Sequence, residues 1–103
     1  MTTAPTLDIP SSSHGIKELN RLLTYTPATG AFVWKVAHNG EAAGAVATHK
    51  PKGSGGLVIS ILGKRIKAEV VAIAMTTNAW PRRSIRHLDR NPTNNAIANL
   101  QVL

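Results

Sequence analysis

Apolar residues recur at helical spacing just after residue 14. Ile16, Leu19, Leu22 and Leu23 fall on one side, with Lys17, Glu18 and Arg21 between them. That spacing predicts a short amphipathic helix. Ser13 is placed to cap its start, and Pro27 bars much continuation beyond Thr24. The stretch Tyr25-Thr-Pro-Ala-Thr-Gly30 reads as a turn, and Ala31–Val36, β-branched and aromatic, reads as a strand whose Phe32 and Trp34 point to the core. Residues 37–56 are glycine-rich and read as loop around a weak strand at Ala42–Thr48. Leu57–Leu62 followed by Gly63-Lys64 and Arg65–Lys67 predicts a hairpin turning at Gly63. The Ala- and Val-rich stretch Ala68–Asn78 predicts a buried helix in spite of its β-branching, with Trp80 closing it against the core ahead of Pro81. Ser84–Leu88 reads as a short strand, residues 91–95 as a turn, and residues 96–103 close the chain. Residues 1–13, with Pro5, Pro10 and a run of three serines, have little to bury and read as a flexible arm. Residues 14–103 are then one domain of the α+β class, with small antiparallel strands and two helices.

Composition narrows what such a domain does. The 103 residues carry 12 Lys+Arg against 5 Asp+Glu, a formal net charge of +7. A chain of this length supports one modest core. It has no Cys, which excludes disulfides, thiolate zinc sites and a cysteine nucleophile. No apolar run reaches the ~18 residues of a membrane span, and the first residues lack the basic start and apolar stretch of a secretory signal. Four aromatic residues (Tyr25, Phe32, Trp34, Trp80) are too few for a base-stacking platform. Nucleic acid becomes the first partner to consider.

Charge placement sharpens this. Lys64, Arg65, Lys67, Arg82, Arg83, Arg86 and Arg90 lie within residues 64–90, opposed only by Glu69 and Asp89. A solvated, solubilising surface is one explanation; a phosphate-facing surface, whose affinity falls steeply with salt, is the other. Of the four histidines, His14, His38 and His49 read as surface residues. His87 closes a short strand inside Ile85-Arg-His-Leu-Asp-Arg-Asn91, beside the densest basic segment. Gly53-Ser-Gly-Gly56 lacks the Lys-Ser/Thr of a phosphate-binding loop. Asn94, Asn95 and Asn99 read as turn formers and backbone braces.

Several of these pieces, in order, form a family pattern. They are Leu22-Leu23-x-Tyr25-x-Pro27-x-Thr29-Gly30-x-Phe32-x-Trp34-Lys35, then Gly63-Lys64 with a following helix, then Asn78-x-Trp80-Pro81. The last is His87-x-Asp89-Arg90-Asn91-x-x-x-Asn95-x-Ile97-x-Asn99-Leu100. Over residues 16–103 the chain resembles the small HNH endonucleases common in bacteriophage genomes. The resemblance implies an ending of ββα-metal type, in which a strand-end histidine is general base on water and a divalent metal neutralises charge on the scissile phosphate. By the same resemblance, His87 matches the base and Asn99 the bracing asparagine.

The pattern departs from the family at the metal. Arg86 stands where the metal-binding Asp is expected, Ala68-Glu69 where an Ala-His pair is expected, and no final helix follows Asn99 within this sequence, so the motif is incomplete. A unit charge ~5 Å from a divalent ion costs on the order of 6 kcal/mol at an effective dielectric of 20. Asp89 is a weak candidate ligand and no other is apparent. Arg86 can instead hold phosphate itself, bidentately. The function expected is therefore a phage-encoded, HNH-like DNA-binding protein that has lost nuclease activity and grips backbone phosphates of double-stranded DNA through Lys64, Arg65, Lys67, Arg82, Arg83, Arg86 and Arg90. No cofactor is expected, and Mg2+ or Mn2+ only if cleavage survives. Two alternatives stand: an interaction protein that reuses the scaffold to bind and inhibit a host enzyme or defence complex, and a metal-dependent nicking endonuclease using His87, Asp89 and Asn99. Without a final helix, Ile97, Leu100, Val102 and Leu103 lack a cover, which points to a homodimer or a host protein. The expected location is the host cytoplasm, away from membranes.

Overall fold

The computed structural model describes residues 13–38, 40–53, 55–61 and 63–103. The first twelve residues of the expected arm lie outside these, and Ser13 already belongs to the first helix, α1 (Ser13–Leu22). The apolar stripe behaves as its spacing predicts, with Ile16, Leu19, Leu22 and Leu23 all buried. Glu18 and Arg21 meet on the outer side at 2.7 Å. The helix stops at Leu22, two residues short of the limit set by Pro27, because Leu23 begins strand β1 (Leu23–Thr26). Its exposed carbonyls find partners downstream. The Lys35 amide donates to the Leu22 carbonyl at 2.7 Å and the Lys35 ammonium to that of Asn20 at 2.6 Å.

β1 pairs antiparallel with β2 (Ala31–Trp34), so Tyr25 is a strand residue and not part of the turn. It sits opposite Phe32, ring centroids 4.6 Å apart. Phe32 and Trp34 are buried, as expected for core residues. The turn is Pro27–Gly30, closed by the Gly30 amide donating to the Thr26 carbonyl at 2.7 Å. Gly30 has φ +81, and a Cβ at this position would overlap the backbone of Asn95 and Ala96.

The expected weak strand at 42–48 reduces to a single bridge between Val46 and Val33, followed by β3 (Thr48–His49). A turn with the Ala45 amide on the Ala42 carbonyl interrupts what precedes it. β3 is the edge of a three-stranded antiparallel sheet with β4 (Val58–Ile61) and β5 (Lys64–Lys67), ordered β3-β4-β5. The β4–β5 hairpin turns at Gly63, φ +71, as expected. Ile59, Ile61 and Ile66 line its inner face and are buried.

Helix α2 (Ala68–Thr77) follows β5 without a break. Ala68 and Val70–Ala74 are all buried, so this helix is apolar around most of its circumference and packs against α1 at the centre of the core. It ends at Asn78, whose left-handed conformation (φ 60) is a common helix terminator. Trp80 packs half-buried against the core. A separate two-stranded sheet completes the fold, β6 (Ile85–His87) with β7 (Leu100–Val102), joined through a single 3-10 turn at Ile97–Asn99. Ile85 and Leu100 pack against the core, whereas Val102 is 43% and Leu103 52% exposed. Among the described residues no helix is long and apolar enough to cross a membrane.

The two turn glycines should respond differently to a methyl group. At Gly63 nothing lies within 4 Å of an added Cβ, so Gly63→Ala carries only the left-handed penalty, about 1–2 kcal/mol. Gly30→Ala adds the overlap with Asn95 and Ala96 and should cost roughly 2–4 kcal/mol. Denaturant midpoints of the two variants measure the difference.

Candidate functional site

β6 ends at His87, and its alternation sets what faces where. Ile85 and His87 point to the inner side, and Arg86 between them points out, paired across the strands with Gln101. His87 is half-buried, and its Nε2 is 2.8 Å from Oδ1 of Asn95. An amide oxygen only accepts, so in this contact Nε2 is the donor. Asn95 is itself 1% exposed, and its backbone carbonyl accepts the Tyr25 hydroxyl at 2.6 Å. Its Nδ2 is buried with no partner among the described residues. Burial pushes the Tyr25 phenol up to about 12.

Beyond His87 the chain does not continue as a strand. The Arg90 amide donates to the His87 carbonyl at 3.0 Å, closing a turn, and Arg90 adopts the left-handed region with φ 64. Asp89 thereby turns back into the asparagine loop. Its carboxylate accepts the amides of Asn94 at 2.8 Å and Asn99 at 2.9 Å and the backbone N–H of Asn91 at 2.8 Å. These donors, Asn94 first, hold the Asp89 carboxyl below its usual range. Asn99 also accepts the Asp89 amide at 2.9 Å and donates to the Asn94 carbonyl at 2.9 Å. It therefore spans the loop from both sides, and the side chain that meets His87 is Asn95.

The donor set does not fit a divalent metal. Among the described residues no three His, Cys, Asp or Glu side chains stand close enough to share one. Arg86 presents a guanidinium hydrogen-bonded to the Gln101 side chain. Asp89, the one carboxylate near His87, spends its lone pairs on three N–H donors.

The seven clustered cations are all exposed but divide among several elements. Lys64, Arg65 and Lys67 lie on β5, Arg82 and Arg83 in the connection after α2, Arg86 on β6 and Arg90 in the turn. Buried α2 separates the first group from the rest. Only Arg86 has a side-chain hydrogen bond among the described residues, and none of the seven has an acidic partner there.

Sequence reasoning missed Tyr25 and Asn95 as a pair that positions His87. Asn95 carried a signal inside the quoted closing motif, but nothing local distinguishes a buried asparagine from a turn former. Compared with known proteins, the chain matches no family model, no curated protein and no solved structure.

Two titrations report on this site. Tyr25 is the one tyrosine in the chain, so phenolate absorbance should rise with a midpoint near 12 in the folded protein and near 10 in denaturant. With the folded value raised, stability is full below pH 10 and declines as pH rises towards 12. Asp89 has the opposite sign. Its folded value is depressed, so its contribution is present above the ordinary carboxylate range and is lost as pH falls through the folded value. Asp89→Ala should be less stable than the parent at pH 7, and the two should converge in acid unfolding experiments below pH 3.8.

Proposed function

We propose that this chain is an HNH-like DNA-binding protein of bacteriophage type, working in the host cytoplasm, that grips backbone phosphates without cutting them. The observation that carries this reading is the unbalanced charge: seven exposed cations in one segment with no acidic partner among the described residues. Within that segment Asp89 is engaged by its asparagines, which leaves Glu69 as the one other acidic group set against the seven cations. Arg90 adds support. It holds a conformation that glycine adopts more cheaply by about 1 kcal/mol, and what an arginine offers in exchange is its charge. Among the described residues the donor set around His87 does not suit a divalent metal, which favours binding over cleavage.

His87, held at Nε2 by Asn95, stands at the position that matches the general base of the family it resembles, and Asn99 at that of the loop brace. In this chain both hold the shape of the Asp89 loop and present Arg86 and Arg90 at its rim. A second reading, an interaction protein on the same scaffold with a protein partner or a second copy, draws on the exposed Leu88, Val102 and Leu103.

Supercoiled plasmid titrated with protein in Mg2+ or Mn2+, beside EDTA and high-salt lanes, tests the proposal. A retarded band without nicking is expected, with log affinity falling by about 0.9 per engaged phosphate for each tenfold rise in salt. Nicked circles that vanish with EDTA and with His87→Ala would overturn it in favour of a nuclease. No shift at any salt would leave the protein-partner reading.

A further inference from the structure

The solvent face of the β3-β4-β5 sheet carries a constellation separate from the His87 loop. In an antiparallel ladder, opposed residues share a face and successive residues alternate. Ile59 opposes Ile66 and both are buried, so Ser60 with Arg65, and Val58 with Lys67, stand on the outer face. β3 adds His49, opposed to Val58. His49 Nε2 lies 3.1 Å from Ser60 Oγ, linking the two rows diagonally. Two surface grooves meet at Ser60. One, of about 390 Å3, is bounded by Trp34, Val46 and His49; the other, of about 230 Å3, by Gly63, Lys64 and Arg65.

Charge favours this face over the His87 loop as the stronger anion site. No Asp or Glu occurs in β3, β4 or β5; Glu41 lines the larger groove but not the smaller one, where Lys64 and Arg65 stand. On the loop, by contrast, Arg86 is already bonded to Gln101, and Asp89 is the immediate neighbour of Arg90. An arginine fork beside a hydroxyl–imidazole pair, whose mutual bond uses one donor and leaves the other, supplies donors of complementary reach to one tetrahedral anion.

We propose that Arg65, Ser60 and His49 form a phosphodiester-binding subsite for a nucleic-acid backbone, flanked by Lys67 on the same face and by Lys64 at the end of the smaller groove. This rests on the DNA-binding reading above and names the part of the surface that makes the principal contact. His49 and Ser60 enter as binding residues that neither charge nor motif singles out.

The test is a titration of the full chain with short duplex DNA, following backbone amide shifts and affinity as a function of salt. Shifts should concentrate in residues 48–49, 58–61 and 64–67. Arg65→Gln should weaken binding about tenfold and flatten the salt slope by about one. Ser60→Ala should weaken it severalfold, while Lys17→Gln, on α1, changes little; the spectra of the variants confirm that each folds. If the parent binds duplex and both sheet variants bind as tightly, with shifts confined to residues 85–99, the subsite is overturned and the DNA-binding reading stands. If the parent fails to bind duplex, both fall. Two further arms distinguish the source of the phosphate. Inorganic phosphate binding the same amides as tightly as duplex marks an isolated anion site, and capture by phosphatidylserine vesicles without duplex binding marks a lipid headgroup; either result overturns the nucleic-acid assignment.

Discussion

Gly30 has no side chain, and the backbone of Asn95 and Ala96 occupies the space where one would be. Around that close approach the Tyr25 hydroxyl donates to the Asn95 carbonyl and the Ile97 amide to the Pro27 carbonyl, at 2.6 and 2.9 Å. The final segment of the chain is thus fixed onto its first hairpin. Everything distinctive about the His87 region depends on this seating. With Asn95 held, its side chain meets His87, and Asn94 and Asn99 are brought to the Asp89 carboxylate. The same packing withdraws the Tyr25 phenol from water and accounts for its resistance to ionisation.

Polar groups inside this region serve one another. Asp89 and the asparagines around it satisfy their donors and acceptors locally, which rigidifies the loop but takes its carboxylate out of use as a ligand. Cations on the outside have no such obligation. A small domain that engages Asp89 within its own loop and leaves its arginines and lysines to solvent carries a field suited to a polyanion, at modest cost to its own stability because the charges are exposed and screened.

Where packing follows a local period, the sequence was readable. The stripe Ile16-Leu19-Leu22, the apolar run at 70–74 and the alternation of Ile59, Ile61 and Ile66 predict both helices and the central hairpin, and these formed with boundaries shifted by a residue or two. Less of the candidate site was legible. Tyr25 read as turn because Pro27 and Gly30 follow it, yet pairing with Phe32 extends the strand through it. The stretch 42–48 read as weak strand, yet its small residues form a turn and a bridge. The partnership of β6 with β7, and the burial of Asn95, depend on segments far apart in the chain, and no period of two or 3.6 encodes a contact at that separation. His49 and Ser60 became neighbours through strand register, which residue type alone does not announce.

The bond between Tyr25 and Asn95 joins positions 70 residues apart. Closing a loop of that length costs about 4 kcal/mol of chain entropy, whereas the hairpins at 23–34 and 58–67 close over a few residues. Chain entropy therefore favours the local elements forming ahead of the C-terminal turn. The same segment has Asn95 as its one buried residue between 91 and 103, so little apolar burial holds it down. An excursion that lifts it would release His87 from its asparagine while the helical core stays shut.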